Sequence, residues 1–250
     1  MTEKAGDWVT SEAVSMLYTR YRYASEFCRN KRLLEVACGQ GVGLRYLAQY
    51  AGDTIGGDIT AELLGWARRR SGEPVPLLCL DVENIPLSAA SRDVIVCYEA
   101  IYYFEHPIRF LQECRRVLSP EGVLLLCTVN PEWPDFNPSP HSHRYYSAQQ
   151  LAALLQAVGF QAEVFGAFPV AGASLRGRGL SWIKRAAVRL RLMPSTMAGK
   201  RFLKRLFLGR LLPFPDRLND GTVAYCPPLP LPLDRMNPNY KILFVLGRRA

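Results

Sequence analysis

The sequence predicts an α/β fold in which a mostly parallel sheet is covered by helices on both faces. Short apolar runs recur along the chain, helical stretches lie between most of them, and Gly, Pro or Asp bounds each run. Strands buried on both faces have continuous apolar sequences, and their alternation with helices is typical of parallel sheets. The predicted strands span residues 32–37, 54–58, 76–80, 93–98 and 123–129.

Further elements are predicted on both sides of these strands. An opening helix is expected because apolar and aromatic residues recur at helical spacing behind Thr10 and Ser11, either of which can cap it. A later helix is expected between a capping Ser147 and a terminating Gly159. In chain order, these expected elements are a helix over 10–28, a helix starting near Val42, the helix after Ser147, a strand at about 161–165 and a final strand over 240–247.

A single domain is expected, because 250 residues suffice for one α/β core with an elaboration and are few for two cores. About 70 residues separate the last two strands, which is longer than a usual connection. The predicted parts are an N-terminal helical cap (1–30), a cofactor-binding core (31–166), a basic insertion or lid (167–239) and the last core strand (240–250).

The net charge of +9 arises from one segment of the chain. Residues 167–239 hold thirteen Lys or Arg against three Asp or Glu. Within this segment, residues 181–212 predict two amphipathic helical stretches separated by Pro194, of which the first is less regular. In the second, basic residues occupy one helical arc and apolar residues the opposite arc: Lys200, Arg201, Lys204 and Arg205 against Phe202, Leu203, Leu206 and Phe207. Such a helix can act as a lid over a site or bind an anionic membrane surface. Both interpretations are kept: a lid, or a peripheral contact at the inner membrane face.

The seven cysteines are far apart, and several lie within apolar runs, where a thiol behaves as a small hydrophobe. This pattern favours a reducing compartment. The chain starts without a basic region followed by an apolar run, and no apolar stretch approaches the roughly 18 residues that span a bilayer. A cytoplasmic protein is therefore expected.

The sequence LLEVACGQGVG, residues 33–43, predicts a ligand-binding turn between a strand and a helix. Its glycines form G-x-G-x-G, whereas the dinucleotide pattern is G-x-G-x-x-G. Glu35 precedes the turn, where a carboxylate would repel a pyrophosphate but suits the cationic amino group of an amino acid. A nicotinamide cofactor is therefore disfavoured.

Two further carboxylates end the next two predicted strands. Asp58 follows the glycine turn by about twenty residues, which is where a carboxylate can accept hydrogen bonds from ribose hydroxyls. Asp81 ends the third strand. Each alone could be a helix cap or a turn residue, but ligands of open α/β sheets bind outside these strand ends. With Glu35, these residues predict one ligand site at the carboxyl edge.

These stretches resemble the motifs of class I S-adenosylmethionine-dependent methyltransferases. EVACGQG resembles the first motif, GGDIT the second and LDVENIPL the third, while DVIVCYEAIYYFEHP and RFLQECRRVLSPEGVLLLCTVN resemble the fourth and fifth. The resemblance covers residues 18–165. It implies an enzyme with S-adenosyl-L-methionine as cofactor and a Rossmann-like sheet of seven strands, the last antiparallel and inserted between the fifth and sixth. The resemblance is closest to bacterial methyltransferases of surface-polysaccharide type.

The resemblance also implies a set of cofactor-binding residues. Ala37 departs mildly from the family, which commonly has glycine there. Arg22 and Tyr23 look like a pair that closes over the cofactor in glycan and small-molecule members. The implied residues are Glu35, Ala37, Gly39 and Gly41 around the methionine part, Asp58 and Ile59 at the ribose, Asp81 and Val82 at the adenine, Tyr98 at the fourth strand end, and Arg22 with Tyr23 above.

The acceptor side has three candidate catalytic residues. His141 and His143 lie in a proline-rich loop after the fifth strand, where substrate loops of this fold are found. A base would assist methylation of a sugar hydroxyl, although a structural or surface role for the pair is weighed somewhat higher. Tyr102 follows the fourth strand and can line the acceptor pocket or simply pack. No metal site is expected, because two histidines without a Cys or acidic cluster are too few ligands.

Three functions remain open at this point. The first is methyl transfer to a small-molecule or glycan acceptor, most simply at a hydroxyl oxygen. The second is RNA methylation, with the basic segment on phosphates; nucleic acid is less favoured because that segment is rich in Leu and Phe. The third is a non-catalytic module that keeps the cofactor fold.

Overall fold

The computed structural model describes residues 8–69, 75–170, 211–221 and 223–249. Ten strands and five α-helices lie in these ranges. The strands are β1 (Trp8–Thr10), β2 (Arg32–Val36), β3 (Asp53–Asp58), β4 (Leu77–Cys79), β5 (Arg92–Tyr98), β6 (Leu118–Val129), β7 (Phe160–Pro169), β8 (Leu211–Pro213), β9 (Leu229–Pro230) and β10 (Tyr240–Arg249). The helices are α1 (Ser11–Cys28), α2 (Val42–Leu47), α3 (Ala61–Arg69), α4 (Pro107–Val117) and α5 (Ala148–Ala157), with a 3₁₀ turn at Ile101–Tyr103.

Eight strands form the main sheet in the order β4-β3-β2-β5-β6-β10-β7-β9. Neighbours from β4 to β6 are parallel, and β10 is antiparallel to both β6 and β7. The predicted α/β class and the inserted antiparallel last strand are therefore confirmed. The two-residue β9 adds an eighth strand at the edge, beyond the seven that were predicted. Strands β1 and β8 pair separately as a small antiparallel ribbon.

The sheet has an apolar core on each face. One core includes Phe110 and Leu111 of α4 and Leu151 and Leu155 of α5. The other includes Tyr18, Tyr23 and Ala24 of α1 together with side chains of α2 and the sheet. Burial on both faces explains why the strand sequences are continuously apolar.

Predicted and observed element ends agree most closely where a capping residue marks them. Thr10 caps α1, since its Oγ1 accepts a hydrogen bond from the amide of Ala13 at 3.1 Å. Ser147 and Gln150 form a capping box at the start of α5, and Gly159 follows its end with φ +81°. Strand β7 extends to Pro169, so the predicted boundary after residue 166 lies inside a strand.

The predicted basic helical stretches over residues 181–212 lie almost wholly outside the described residues, and only the last two positions of this range belong to β8. None of the helices in the described ranges is long and apolar enough to cross a membrane.

Candidate active site

The glycine-rich turn joins β2 to α2 at the carboxyl edge of the sheet. Ala37, Gly39 and Gly41 all have left-handed backbone conformations, with φ of +53°, +55° and +72°. Glycine adopts this region freely, whereas alanine is strained there by about 1 kcal/mol. A Cβ added to Gly39 would meet no atom within 4 Å. The turn therefore leaves open space beside its backbone.

Asp58 ties the end of β3 to this turn. Its carboxylate accepts hydrogen bonds from the amide of Gly39 at 2.9 Å and from the amide of Thr60 at 2.8 Å. The side chain is only 6% exposed. Asp58 therefore fixes the glycine turn through the backbone of that turn.

Glu35 lies beneath the turn and is 2% exposed. Its Oε1 accepts a hydrogen bond from the hydroxyl of Tyr21 at 2.7 Å, while Oε2 is buried without a partner among the described residues. Burial raises the pKa of Glu35 to about 8, the bond from Tyr21 lowers it, and the charge of Asp58 raises it further. The turn therefore covers a buried carboxyl group with one unsatisfied oxygen.

The residues predicted at the ribose and adenine flank Asp58. Ile59 is 71% exposed, which is unusual for its size and leaves an apolar surface beside the strand ends. Asp81 is exposed, and its Oδ1 accepts a hydrogen bond from the amide of Glu83 at 2.9 Å. Val82 is partly buried against the core. Their roles toward a cofactor stay predictions.

Tyr98 ends β5 and is buried between α1 and the sheet. Its ring lies edge-on to Tyr21 at 5.6 Å and to Phe244 at 6.2 Å between centroids. Its hydroxyl is buried without a hydrogen-bond partner in the described ranges. Burial raises the pKa of this phenol well above its usual value. Tyr98 therefore packs against Tyr21, the residue whose hydroxyl donates to Glu35.

A network of Arg20, Glu99 and Tyr102 adjoins the end of β5. Of these residues, only Tyr102 is a candidate predicted from the sequence. Glu99 adopts φ +53°, a left-handed conformation that costs a non-glycine residue energy and is often found at functional sites. Its carboxylate pairs with Arg20 of α1 at 2.7 Å and accepts a hydrogen bond from the hydroxyl of Tyr102 at 3.1 Å. Burial and the charge of Glu99 raise the pKa of Tyr102, so its phenol stays protonated and donates.

Aromatic rings continue this network away from the glycine turn. Tyr102 contacts Tyr103 at 4.5 Å and stacks on Tyr145 at 4.9 Å, and Tyr145 contacts Phe136 at 4.7 Å between centroids. Tyr103 is 39% exposed. This row of rings, Phe136, Tyr145, Tyr102 and Tyr103, is called the aromatic wall below. It can stack against a ring-shaped acceptor.

The histidine loop is anchored to this wall through its backbone. The amide of His143 donates to the carbonyl oxygen of Tyr102 at 2.8 Å, and the amide of Arg144 donates to the same oxygen at 3.3 Å. Both His141 and His143 are exposed. The structure therefore brings His143 and Tyr102 together as predicted candidates, while a catalytic role of either histidine stays a prediction.

Arg22 and Tyr23 make their contacts away from the glycine turn. Arg22 pairs with Glu26 and lies over the ring of Tyr225, and the ring of Tyr23 packs against Phe244. Tyr23 also contacts Phe27 and Phe165. Consecutive residues of a helix face different directions, about 100° apart. The preceding pair, Arg20 and Tyr21, supplies the contacts with Glu99 and Glu35 instead.

The potential metal ligands do not cluster. Among the described residues, no three His, Cys, Asp or Glu side chains are close enough to hold a metal ion. The seven cysteines are all free thiols.

Comparison with known proteins indicates the class of the domain. Residues 34–126 match a protein family described as a methyltransferase domain. Over these residues the chain is similar to that family. A probable S-adenosylmethionine-dependent methyltransferase of Mycolicibacterium smegmatis is 32% identical over 159 residues, which is 61% of this chain and 61% of the relative. The ubiquinone biosynthesis O-methyltransferase of Haemophilus ducreyi is 32% identical over 108 residues, covering 40% of this chain and 46% of the relative.

A solved structure shares the fold described above. A Thermotoga maritima protein described as an S-adenosylmethionine-dependent methyltransferase, possibly acting on histamine nitrogen, superimposes with a TM-score of 0.59 at 16% identity and covers 95% of this chain and 92% of that one. The chain spans about three fifths or less of the length of the curated relatives named here. The family match and the relatives support the predicted methyltransferase class and S-adenosylmethionine as its cofactor, and the solved structure shows the fold.

The residues at the glycine turn fit this cofactor. Gly39 leaves open space, Asp58 is a carboxylate at the end of β3, and Glu35 has a buried oxygen without a partner among the described residues. A cofactor with an amino group, a ribose and a sulfonium ion presents cationic and hydroxyl groups that such a set can accept.

Proposed function

We propose that this protein transfers a methyl group from S-adenosylmethionine to the hydroxyl oxygen of a small molecule or glycan. The hydrogen bond between Asp58 and the amide of Gly39 carries this proposal, because it joins the end of β3 to the glycine turn. Glu35, Asp58 and Asp81 would hold the amino group, the ribose and the adenine. When bound, the cofactor supplies a carbon that is already activated by its sulfonium.

The acceptor side of the proposal rests on Glu99, Arg20 and the aromatic wall. A carboxylate has about four acceptor sites. Glu99 uses one on Arg20 and one on Tyr102, and its side chain is 27% exposed, so it can accept a further bond from an acceptor hydroxyl. The wall would stack on the acceptor ring. Holding the acceptor in line is the main task of this site, since orientation alone can supply much of a rate enhancement.

A proton must leave the hydroxyl as its oxygen bonds to the methyl carbon. Tyr102 cannot accept this proton, because its raised pKa keeps the phenol protonated. His141 and His143 stay the proposed bases, supported by the backbone bond that fixes His143 beside Tyr102. The double variant H141A/H143A should bind S-adenosylhomocysteine normally but transfer about 100-fold more slowly. Full turnover would contradict the role, and His106→Ala serves as the matched control.

A methyl-transfer screen tests the whole proposal. The protein is incubated with S-adenosylmethionine carrying a labelled methyl group and with sugar nucleotides, lipid-linked glycans or bulk RNA. We expect label in a sugar-containing acceptor, as the resemblance to surface-polysaccharide enzymes suggests. Label only in RNA would replace the acceptor class. Cofactor binding with no transfer to any of the three would favour a non-catalytic module.

We also propose peripheral contact with anionic membranes through residues 181–212. The support is the sequence alone, in which this stretch holds nine basic and no acidic residues. Sedimentation with anionic and neutral vesicles at two salt concentrations tests it. Equal, negligible pelleting under all conditions would leave the lid as the remaining interpretation.

A further inference from the structure

Glu35 differs from the other strand-end carboxyl groups in having no cation or backbone amide beside it. Asp58 accepts two backbone amides and Glu99 pairs with Arg20, whereas Glu35 accepts only the hydroxyl of Tyr21. Its second oxygen is buried without a partner in the part of the chain that the structure describes. An ionised carboxylate in such a place is strongly disfavoured.

The groups that face Glu35 are acidic or neutral on every element packed against it. Helix α1 contributes Tyr21 and Cys28, and the glycine turn contributes Cys38. Strands β3 and β5 contribute Asp58 and Cys97. The guanidinium of Arg20, one residue from Tyr21, is paired with Glu99 instead. Within the described ranges of the chain, no positive charge therefore faces Glu35, and a cationic ligand would supply one.

We propose that Glu35, positioned by Tyr21, couples recognition of the cofactor's amino group to proton release: Glu35 carries a proton in the free protein and releases it when the ammonium group arrives. The O–H bond of the carboxyl group breaks, its proton passes to the buffer, and the resulting carboxylate accepts a hydrogen bond from the ammonium. Tyr21 is a positioning residue, because its hydroxyl donates to Oε1 in either state and leaves Oε2 for the ligand.

The position of Tyr21 supports this role. Its ring packs so closely on α2 that a Cβ added to Gly43 would lie 1.7 Å from the ring. Its ring also contacts Tyr98. The ring is therefore held from two sides, and its hydroxyl is fixed toward Glu35. Burial raises the pKa of Glu35 to about 8, consistent with a protonated group near neutral pH.

This inference rests on the proposed cofactor site and predicts a property that cofactor binding alone does not require. Titration calorimetry with S-adenosylhomocysteine at pH 6.5, in buffers of different ionisation enthalpy, measures the protons released. We expect close to one proton per bound molecule. We also expect the dissociation constant to fall about tenfold between pH 6 and pH 7, because one proton must leave for each ligand bound.

Matched ligands and variants isolate Glu35 and Tyr21. Methylthioadenosine, which has the same adenine and ribose but lacks the amino-acid part with its α-amino group, should bind without proton release. Glu35→Gln, which mimics the protonated acid and should fold, should bind S-adenosylhomocysteine with no release. Tyr21→Phe keeps the ring on Gly43 and should retain release at pH 6.5 with several-fold weaker affinity. Glu26→Gln on the exposed face of α1 should behave as wild type.

The outcomes separate this inference from the function on which it rests. Absence of any binding by the wild type would contradict the proposed cofactor site and the inference together. Binding of S-adenosylhomocysteine with no buffer dependence would overturn the inference alone, as would equal proton release in Glu35→Gln. Unchanged affinity in Tyr21→Phe would contradict the positioning role of Tyr21.

Discussion

At the scale of single residues, the site combines a carboxylate that is satisfied with a carboxyl group that is not. Asp58 is held by two amides, so it would accept the proposed ribose hydroxyls without rearrangement. Glu35 is buried with one donor, the hydroxyl of Tyr21, among the described residues. Two acidic residues 23 positions apart in the sequence therefore have opposite electrostatic surroundings.

Asp58→Ala should weaken binding of S-adenosylhomocysteine at least tenfold, because it removes both the ribose acceptor and the bond that fixes Gly39. Calorimetry at a single pH measures the change. Asp53 begins the same strand and pairs with Arg92 at the opposite edge of the sheet. Asp53→Ala should leave the affinity unchanged, and equal affinity in both variants would refute the assignment.

Glu35 should make the folded state less stable as the pH rises. Its pKa is raised from 4.5 to about 8 in the folded state, so the folded protein holds this proton more tightly than the unfolded chain. The contribution is fully present below pH 4.5, is lost between pH 4.5 and 8, and amounts to about 5 kcal/mol at most. Urea unfolding measures the free energy of unfolding at pH 6 and 8.5. This free energy should fall less in Glu35→Gln than in the wild type, and an equal fall in both would contradict the prediction.

At the scale of elements, helix α1 is attached to the carboxyl edge by the pair of Arg20 and Glu99. The two side chains are 17% and 27% exposed, so the pair is mostly removed from water. Although burial disfavours the charged form, the charge of Glu99 raises the pKa of Arg20. A partner left alone in such a place is costly.

Arg20→Met should therefore destabilise the protein by about 2–3 kcal/mol. The same helix offers a control, since Arg22 pairs with Glu26 at 37% and 45% exposure. Arg22→Met should change stability by less than about 0.5 kcal/mol. Denaturant unfolding of Arg20→Met, Glu99→Gln and the double variant should show a positive coupling energy, and strict additivity would rule out the pair as an energetic link.

The elements near the glycine turn could be predicted from the sequence because their signals are local. The G-x-G-x-G turn, the strand that precedes it and the cap at Ser147 each occupy a few neighbouring residues. The contact between Arg20 and Glu99 joins residues 79 positions apart, and nothing local marks it. The family resemblance points to Arg22 and Tyr23, which lie two positions after Arg20 and Tyr21 on α1. Side chains two positions apart on a helix face different directions, so a resemblance between sequences does not fix which pair faces the strand ends.

At the scale of the whole molecule, the last strand in sequence order lies in the interior of the sheet. Strand β10 pairs with β6 on one side and β7 on the other. Phe244 at its middle is completely buried and contacts Tyr23 and Tyr98. Strand β10 therefore joins the parallel strands β4 to β6 to the edge strands β7 and β9.

Phe244→Ala should destabilise the protein by about 3–5 kcal/mol, because it leaves a cavity where two elements meet the sheet. Thermal unfolding should show a transition lowered by roughly 10 °C. Trp66 on α3 is an equally large aromatic residue but is 49% exposed. Trp66→Ala should cost about 1 kcal/mol or less, and a comparable loss in both variants would contradict the central role of β10.

The neighbouring positions of Arg20 and Tyr21 have a thermodynamic consequence. One rigid turn of α1 reaches both the proposed cofactor pocket, through Glu35, and the proposed acceptor wall, through Glu99. A ligand that displaces or steadies this turn from one side changes the free energy of filling the other side. Such coupling is reciprocal, so the factor by which the cofactor strengthens acceptor binding must equal the factor by which the acceptor strengthens cofactor binding. The cofactor and the acceptor would then bind cooperatively, and the turn of α1 that holds Arg20 and Tyr21 would couple the two sites.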